Sequence, residues 1–401
     1  MGLGYAAVET IRTLIQRRKG LLCGPFLFSC LMAQTPAVDK PAHEPQVATQ
    51  HVSDAQMNTT HIAPTDPRIL VMGRTDARHG ELRMGFPGVT LRFAYRGPAP
   101  TVLLGAESPN CSFNLRVNGW DPIIVRPKEG QSALPLPSGP APASGWVVEL
   151  ARRNENWQGI ASFRGLDLPK GCELIAPPPL PQRKLMFIGD SITCGEKIDL
   201  LPPEDSSSPR MSNAPRAFGM LLGKAFNAQV HLVSCGGRGL TRNWQGVPDV
   251  TAPQFFQRAM PDEADANWNH ATYVPDGVVI GLGTNDFNTG LPDEQAFIDA
   301  YEAFLQDIRN VYPKTALILM ESPIFGEIPG THDRDKRDLL RRVLETLVTR
   351  HQAAGDRKIA LASSRHYPGT AIDAHPVAFQ HEQIAEELAP VIERLTGWKR
   401  P

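Results

Sequence analysis

What this sequence lacks narrows its class before any motif is read. Its 41 Lys and Arg stand against 42 Asp and Glu, a net charge of −1. Nucleic acid and anionic membrane surfaces therefore have no electrostatic claim on it as partners. Long hydrophobic runs are missing as well. The apolar stretch at residues 20–33 is too short for a helix to cross a bilayer, so no integral membrane span is expected. Metal-ligand spacing is absent: His231, His270 and His381 are scattered and read as surface or core residues, and neither metal nor cofactor is expected. No internal repeat is visible, which excludes a repeat array. Cysteine is sparse, with 6 in 401 residues.

What remains is the composition of a globular protein, 41% hydrophobic and 21% charged, long enough for two domains. The 37 prolines exceed the usual share of roughly 5% and gather in linkers and loops. At the start, Arg17-Arg18-Lys19 precedes the apolar stretch and Ala33 ends it, the order of a secretory signal behind an upstream extension. Residues 1–33 are expected to direct export to the periplasm or beyond. Leu27-Phe28-Ser29-Cys30 also resembles a lipoprotein cleavage site, which would put a lipid on Cys30. Export would leave Cys111, Cys172, Cys194 and Cys235. Pairing within each domain, Cys111 with Cys172 and Cys194 with Cys235, and four free buried thiols are both open.

Residues 34–66 are polar, without periodicity, and read as a disordered linker. From 67 to 176 the pattern is β. Residues 89–95, 113–117, 146–150 and 160–163 are short strand candidates between turn signals such as Asn118-Gly119, the mark of a β-sandwich or jelly roll. The Pro-rich segment 177–183 is a stiff connector. From 184 to 401 strands alternate with helices. Strands are expected at 185–188, 230–233, 278–281, 316–320 and 359–362, and helices at 217–226, 293–311, 335–351 and 376–395. That order predicts a three-layer α/β/α domain with a mainly parallel sheet.

Four short stretches in this second part carry chemistry: Gly189-Asp190-Ser191, Cys235-Gly236-Gly237-Arg238-Gly239, Gly283-Thr284-Asn285-Asp286 and Asp373-Ala374-His375-Pro376. The first three follow predicted strands, so a parallel sheet brings them to one edge. Acyl transfer needs such a set. A serine hydroxyl attacks an ester only when a neutral imidazole takes its proton, and the imidazole needs a partner that fixes its tautomer. Ser191, His375 and Asp373 fit these three roles. The oxyanion needs donors, for which the Ser191 N–H, an N–H of the glycine loop and the Asn285 amide are available. Asp190 reads as a structural residue of the turn. Pro376 suits a first helical position.

Taken in order, these motifs resemble the SGNH (GDSL-type) hydrolases over residues 183–398. More narrowly, Gly-Asp-Ser-Ile-Thr-Cys-Gly at 189–195, Gly-Arg-Gly-Leu-Thr-Arg-Asn at 237–243 and the β domain in front resemble carbohydrate esterase family 2. The resemblance implies an exported serine esterase that removes O-acetyl groups from xylan or other sugars, with a jelly roll ahead of the SGNH domain and acetylated carbohydrate as partner. It implies Ser191 as nucleophile, His375 as base, and Ser191, Gly237 and Asn285 as oxyanion hole. Gly236 and Gly239 are alternatives to Gly237. Asp373 is the orienting acid, although some members use a backbone carbonyl. Ala374 stands where members often carry an aromatic residue, which would remove one wall of the sugar site.

Further substrate contacts are expected at Arg238, Trp244 and Asp286. Arg238 and Arg242 either meet substrate hydroxyls or satisfy nearby carbonyls. Trp244 is either a sugar platform or a core residue. The run 201–213 is either a lip of the cleft or a solvated loop. Two other functions compete: an SGNH esterase or lipase acting on another small ester, and an inactive carbohydrate-binding protein.

Overall fold

The structure is a computed structural model that describes residues 59–400 apart from 137–141, 143–144, 202–207 and 327–331. The export segment, most of the expected linker and the middle of the 201–213 run lie outside the described residues.

The first half is all antiparallel. Its strands are β1 (Thr59–Ile62), β2 (Leu70–Met72), β3 (Asp76–Arg78), β4 (Glu81–Met84), β5 (Thr90–Arg96), β6 (Thr101–Ala106), β7 (Phe113–Val117), β8 (Ile123–Val125), β9 (Gly130–Pro135), β10 (Trp146–Arg152), β11 (Ala161–Pro169) and β12 (Glu173–Ile175). One sheet runs β3-β4-β11-β6-β9 with β1 on β11, and the other runs β12-β5-β10-β7-β8 with β2 on β5. Along β10, buried and half-buried residues alternate without a break, the period-two pattern of a strand with one face on a core. Leu91, Phe93, Leu115 and Leu150 of one sheet and Met84, Leu104, Phe163 and Leu166 of the other share that core.

The four strands expected here are all present. Several others are only three residues long, too short to show a period. One corrects an expectation outright: Thr59–Ile62, placed in the disordered linker, pairs with β11 from Thr59↔Pro169 to Ile62↔Leu166. Three of its four residues are exposed and only Ile62 packs against the core, so no hydrophobic alternation announced it.

The second half contains β13 (Arg183–Gly189), α1 (Ser191–Cys194), α2 (Phe218–Phe226), β14 (Ala228–Ser234), α3 (Ala252–Phe256), β15 (Gly277–Gly281), α4 (Glu294–Val311), β16 (Ala316–Met320), α5 (Asp333–Ala353), β17 (Ile359–Ala362) and α6 (Ala378–Thr396). The sheet order is β14-β13-β15-β16-β17, every pair parallel. Both faces are covered. Met186 and Ile188 join the cluster that holds Phe304 and Leu305 of α4 and Val343 and Leu347 of α5. The intervening Leu185 and Phe187 join Phe218 and Leu222 of α2 and Ile384 and Leu388 of α6. That double burial is why β13 and β16 read as unbroken apolar runs.

The turn after Ser191 is a single helical turn closed by Gly195 in the left-handed region, φ 71°, and the helix expected at 217–226 runs Phe218–Phe226. One boundary differs from expectation. The last helix starts at Ala378, so Pro376 lies outside it, and the Gln380 side chain accepts the Val377 N–H at 3.0 Å instead.

The two halves are not beads on a connector. Pro178 and Pro179 give their carbonyls to Arg92, and Pro181 gives its own to Gln229. One buried cluster runs from Phe86 in the first half to Phe255, Phe256 and Tyr273 in the second. Arg83 meets Glu263 through two hydrogen bonds of 2.8 and 2.6 Å. Arg74 goes further. It is fully buried, donates to the carbonyls of Phe256 and Arg258, and sits 5.7, 5.6 and 5.1 Å from the rings of Phe86, Phe256 and Trp268. Burial draws its pKa down to about 9. Arg74→Ala removes these ring contacts and leaves two carbonyls without donors, so it should cost about 2–4 kcal/mol. A urea midpoint equal to that of the wild type would show that the guanidinium contributes nothing net.

Cys111, Cys172, Cys194 and Cys235 are all free, which decides between the two thiol readings. His231 and His381 are core residues: His231 stacks on Tyr273 at 3.5 Å, and His381 accepts the Phe218 N–H with its pKa drawn down to about 3 by burial.

Candidate active site

The sheet order has its switch point between β13 and β15, because the chain runs from β13 to β14 on one side and returns to β15 on the other. Open α/β sheets keep their ligand crevice at the strand carboxyl ends there. Ser191 follows β13, the glycine loop follows β14 and Asn285 follows β15.

Asp190 caps the single turn α1 by accepting the Ile192 N–H at 3.0 Å. Burial raises its pKa to about 6. Ser191 is then the first helical residue, with its N–H unused within the helix. Its Oγ lies 2.8 Å from His375 Nε2, and His375 Nδ1 lies 2.6 Å from Asp373 Oδ1. The same carboxylate oxygen accepts the His375 backbone N–H at 3.0 Å. Two residues of separation thus form a closed turn that locks ring and acid together. Thr370 braces it, donating its N–H to the Asp373 carbonyl at 2.8 Å and accepting the Asp373 N–H on Oγ1 at 3.2 Å. Burial works against a charged His375. The hydrogen bond that His375 gives to Asp373 and the charges of Glu196, Asp373 and Asp190 outweigh it, so the pKa is raised above the ordinary 6.5.

The glycine loop separates its members by what each N–H does. The Gly236 N–H is taken by Glu155, and Gly239 lies against Asp286. The Gly237 N–H has no acceptor among the described residues and borders the cleft beside Ser191. Gly237 has φ 71°, and a Cβ there would fall 2.7 Å from Trp244 Cδ1, so only glycine fits. Asn285 gives one amide hydrogen to the Arg238 carbonyl at 2.8 Å, which leaves its second for the cleft.

The expected substrate contacts divide. Trp244 is 53% exposed and lines the cleft, so it is not a core residue. Arg238 also lines the cleft, held by Asp249 at 2.9 Å. Asp286 is a correction. It has no exposed surface, and its carboxylate accepts the N–H groups of Leu240, Thr241 and Arg242 and the Thr241 hydroxyl. It staples the glycine loop from behind, because the start of a turn after β15 points into the sheet edge rather than out of it. Arg242 satisfies the carbonyls of Asp286 and Gly290. Of the 201–213 run, Leu201 and Arg210 are exposed, whereas Ser212 and Asn213 at its end are buried and bond Gln158 and Asn114 of the first half. Ala374 is exposed and offers no wall.

Three residues at this site were not foreseen. Glu196 reaches 3.9 Å from His375 Nε2. Trp157, 51% exposed, comes from the first half and lines the same cleft of about 700 Å³, and Glu155 sits under the glycine loop. Trp157 and Glu155 share one signal, the run Arg152 to Gln158, seven polar or aromatic residues with neither Gly nor Pro at the junction of two strands, whereas Glu196 has none. Among the described residues no group of His, Cys, Asp and Glu is arranged to hold a metal ion.

A hydroxyl bonded to an imidazole, an imidazole held by a half-buried acid and donors bordering one cleft can activate a nucleophile and stabilise a tetrahedral oxyanion. The class defined by this fold and sheet edge is the serine acylhydrolases, and residues 187–376 match the GDSL-like Lipase/Acylhydrolase family. Residues 71–178 match the Carbohydrate esterase 2 N-terminal family. The chain is 36% identical, over 85% of its length and 93% of the other, to an acetylxylan esterase / glucomannan deacetylase of Cellvibrio japonicus. The chain belongs to carbohydrate esterase family 2, and is thus a carboxylic ester hydrolase.

A second relative, the cellulase/esterase CelE of Acetivibrio thermocellus, is 32% identical over 83% of this chain, which spans 40% of that protein. Among solved structures, a family two carbohydrate esterase from Cellvibrio japonicus superposes with a TM-score of 0.78 at 34% identity, covering 85% of this chain and 99% of that one. One from Clostridium thermocellum in complex with cellohexaose gives 0.74 at 28% identity, covering 82% and 100%.

Proposed function

We propose that this protein is an exported, metal-independent serine deacetylase of acetylated polysaccharide, of the xylan or glucomannan type. The observation that carries the reading is the continuous hydrogen-bonded chain from Ser191 through His375 to Asp373, 2.8 and 2.6 Å, at an open cleft. Ser191 Oγ attacks the acetyl carbonyl carbon while His375 Nε2 takes its proton. The oxyanion meets the N–H groups of Ser191 and Gly237 and the Asn285 amide. Collapse breaks the bond to the sugar oxygen, which takes the proton from His375 and leaves as a hydroxyl. Water, deprotonated by the same imidazole, then releases acetate and restores Ser191. Trp244 serves as a platform for a sugar ring and Arg238 as a donor to its hydroxyls. Openness suits a polymer: a chain can lie across the cleft with one acetyl group directed in. Export is supported by the basic and apolar order of residues 17–33. Among the described residues no helix is long and apolar enough to cross a membrane.

The test is acetate release from acetylated xylan and acetylated glucomannan, beside p-nitrophenyl acetate, with and without chelator. Release from polymer and small ester alike, unchanged by chelator, is expected. Release from the small ester alone would overturn the polysaccharide assignment.

A further inference from the structure

The run Arg152 to Gln158 joins β10 to β11, and all of it except Trp157 is buried. Buried polar groups must be hydrogen-bonded, and four of these residues, Arg153, Glu155, Asn156 and Gln158, find partners in the other half of the molecule. Arg153 meets Asp199 at 2.7 Å, Asn156 meets Asp262 and the Cys235 thiol, and Gln158 meets Ser212 at 3.0 Å. Glu155 occupies the middle of this seam, 1% exposed. Its Oε2 accepts the Gly236 N–H and also lies 3.3 Å from the Cys194 thiol. Cys194 ends the helical turn that Ser191 begins, and Gly236 precedes Gly237. One carboxylate thus bridges the two segments whose N–H groups converge on the cleft.

We propose that Glu155, supplied by the β half, is a positioning residue for the oxyanion site: it fixes the glycine loop against the Ser191 turn so that the Gly237 N–H and the Ser191 N–H point to one place. The proposal rests on the serine-esterase reading above. Three further observations agree with it. The contact is close enough to dictate sequence, since a Cβ on Gly236 would stand 2.6 Å from Glu155 Oε2. The carboxylate is costly where it is. Among the described residues no ion pair neutralises it, and the Arg152 guanidinium bonds the Glu155 backbone carbonyl rather than the side chain. Burial, with the nearby charge of Glu196, raises its pKa to about 7. A residue chosen for stability alone at such a position would be apolar. Finally, misplacing an oxyanion donor is expensive, at ~10²–10³ in kcat for the loss of one, so a rigid brace has a large effect to protect.

The experiment uses the full chain. Glu155→Ala frees the loop and should lower kcat on p-nitrophenyl acetate by roughly 30–300-fold, with KM within about threefold of wild type. The affinity for phenylboronic acid, which adds Ser191 Oγ to boron and mimics the tetrahedral species, should fall in parallel with kcat/KM. Glu155→Gln keeps an oxygen acceptor for the Gly236 N–H and should restore kcat to within about fivefold. The proposal is overturned if Glu155→Ala keeps its kcat, if Glu155→Gln falls as far as Glu155→Ala, or if boronate binds undiminished while kcat drops. Should Glu155→Ala not fold, Gly236→Ala presses on the same contact from the other side and should lower kcat with KM retained; an unchanged kcat again overturns the proposal. Failure of the esterase reading itself would look different, with wild type failing to bind boronate or Ser191→Ala remaining active.

Discussion

Ser191→Ala is expected to lower kcat on p-nitrophenyl acetate by about 10⁴-fold or more, with KM changed far less. Among the described residues, the Ser191 hydroxyl is the candidate nucleophile at the cleft, with an imidazole 2.8 Å away. Its removal leaves the oxyanion donors in position, so a residual rate above water should survive, since binding and electrostatics still act without the nucleophile. The variant should fold as wild type: Ser191 is 8% exposed, and its side-chain hydrogen bond is the one to His375. Acetate release by Ser191→Ala at a tenth of the wild-type rate would exclude the acyl-enzyme route.

Asp373→Asn should be nearly as severe, about 10⁴ in kcat, because an amide that turns its NH₂ to Nδ1 selects the tautomer with the proton on Nε2, where the serine must deliver its own. A second effect separates this from general damage. In the proposed mechanism His375 works as the neutral base, so kcat/KM should fall as pH drops through its pKa. In the wild type that acid limb should lie above the ordinary 6.5, since the Asp373 hydrogen bond and surrounding carboxylates outweigh burial. Removing the Asp373 charge takes away support for the imidazolium, so the limb of the variant should move to lower pH. A pH–rate profile of both proteins checks the sign. A loss in kcat under about threefold would mean that a backbone carbonyl orients the ring.

Trp157 and Glu155 change the meaning of the β half. Relatives of different length share the arrangement of a β segment followed by the α/β sheet, and in this chain the two are joined through one core and a seam of buried polar groups. Exchange of the β half for a generic sugar-binding module would therefore remove part of the catalytic cleft, not merely an accessory. The depth of Arg74 among three rings of both halves points the same way.

The path to the active site was legible because each step had a local physical cause. A strand buried on both faces is an uninterrupted apolar run, so β13, β15 and β16 were visible in the sequence, and their parallel order followed from the helices between them. Parallel order alone puts three loops on one edge, which brings Ser191, the glycine loop and Asn285 together without knowledge of a single contact. The pair Asp373 and His375 was legible because two residues on one turn meet whatever the rest of the chain does. Short strands such as Asp76–Arg78, by contrast, have no readable period, and mostly exposed Thr59–Ile62 has no apolar signature.

Sequence by itself determined the class of chemistry and the three-layer architecture and picked out Ser191, His375 and Asp373 as candidates, because these rest on periodicity and on neighbours close along the chain. Only the tertiary structure decided which glycine N–H is free, that Asp286 faces inward, that the four thiols stay unpaired, and that Arg152 to Gln158, except Trp157, is buried. Each of these depends on what lies opposite a residue from a distant segment. Composition marks a polar run as solvated, and nothing local reveals that another half of the molecule will supply its hydrogen-bond partners.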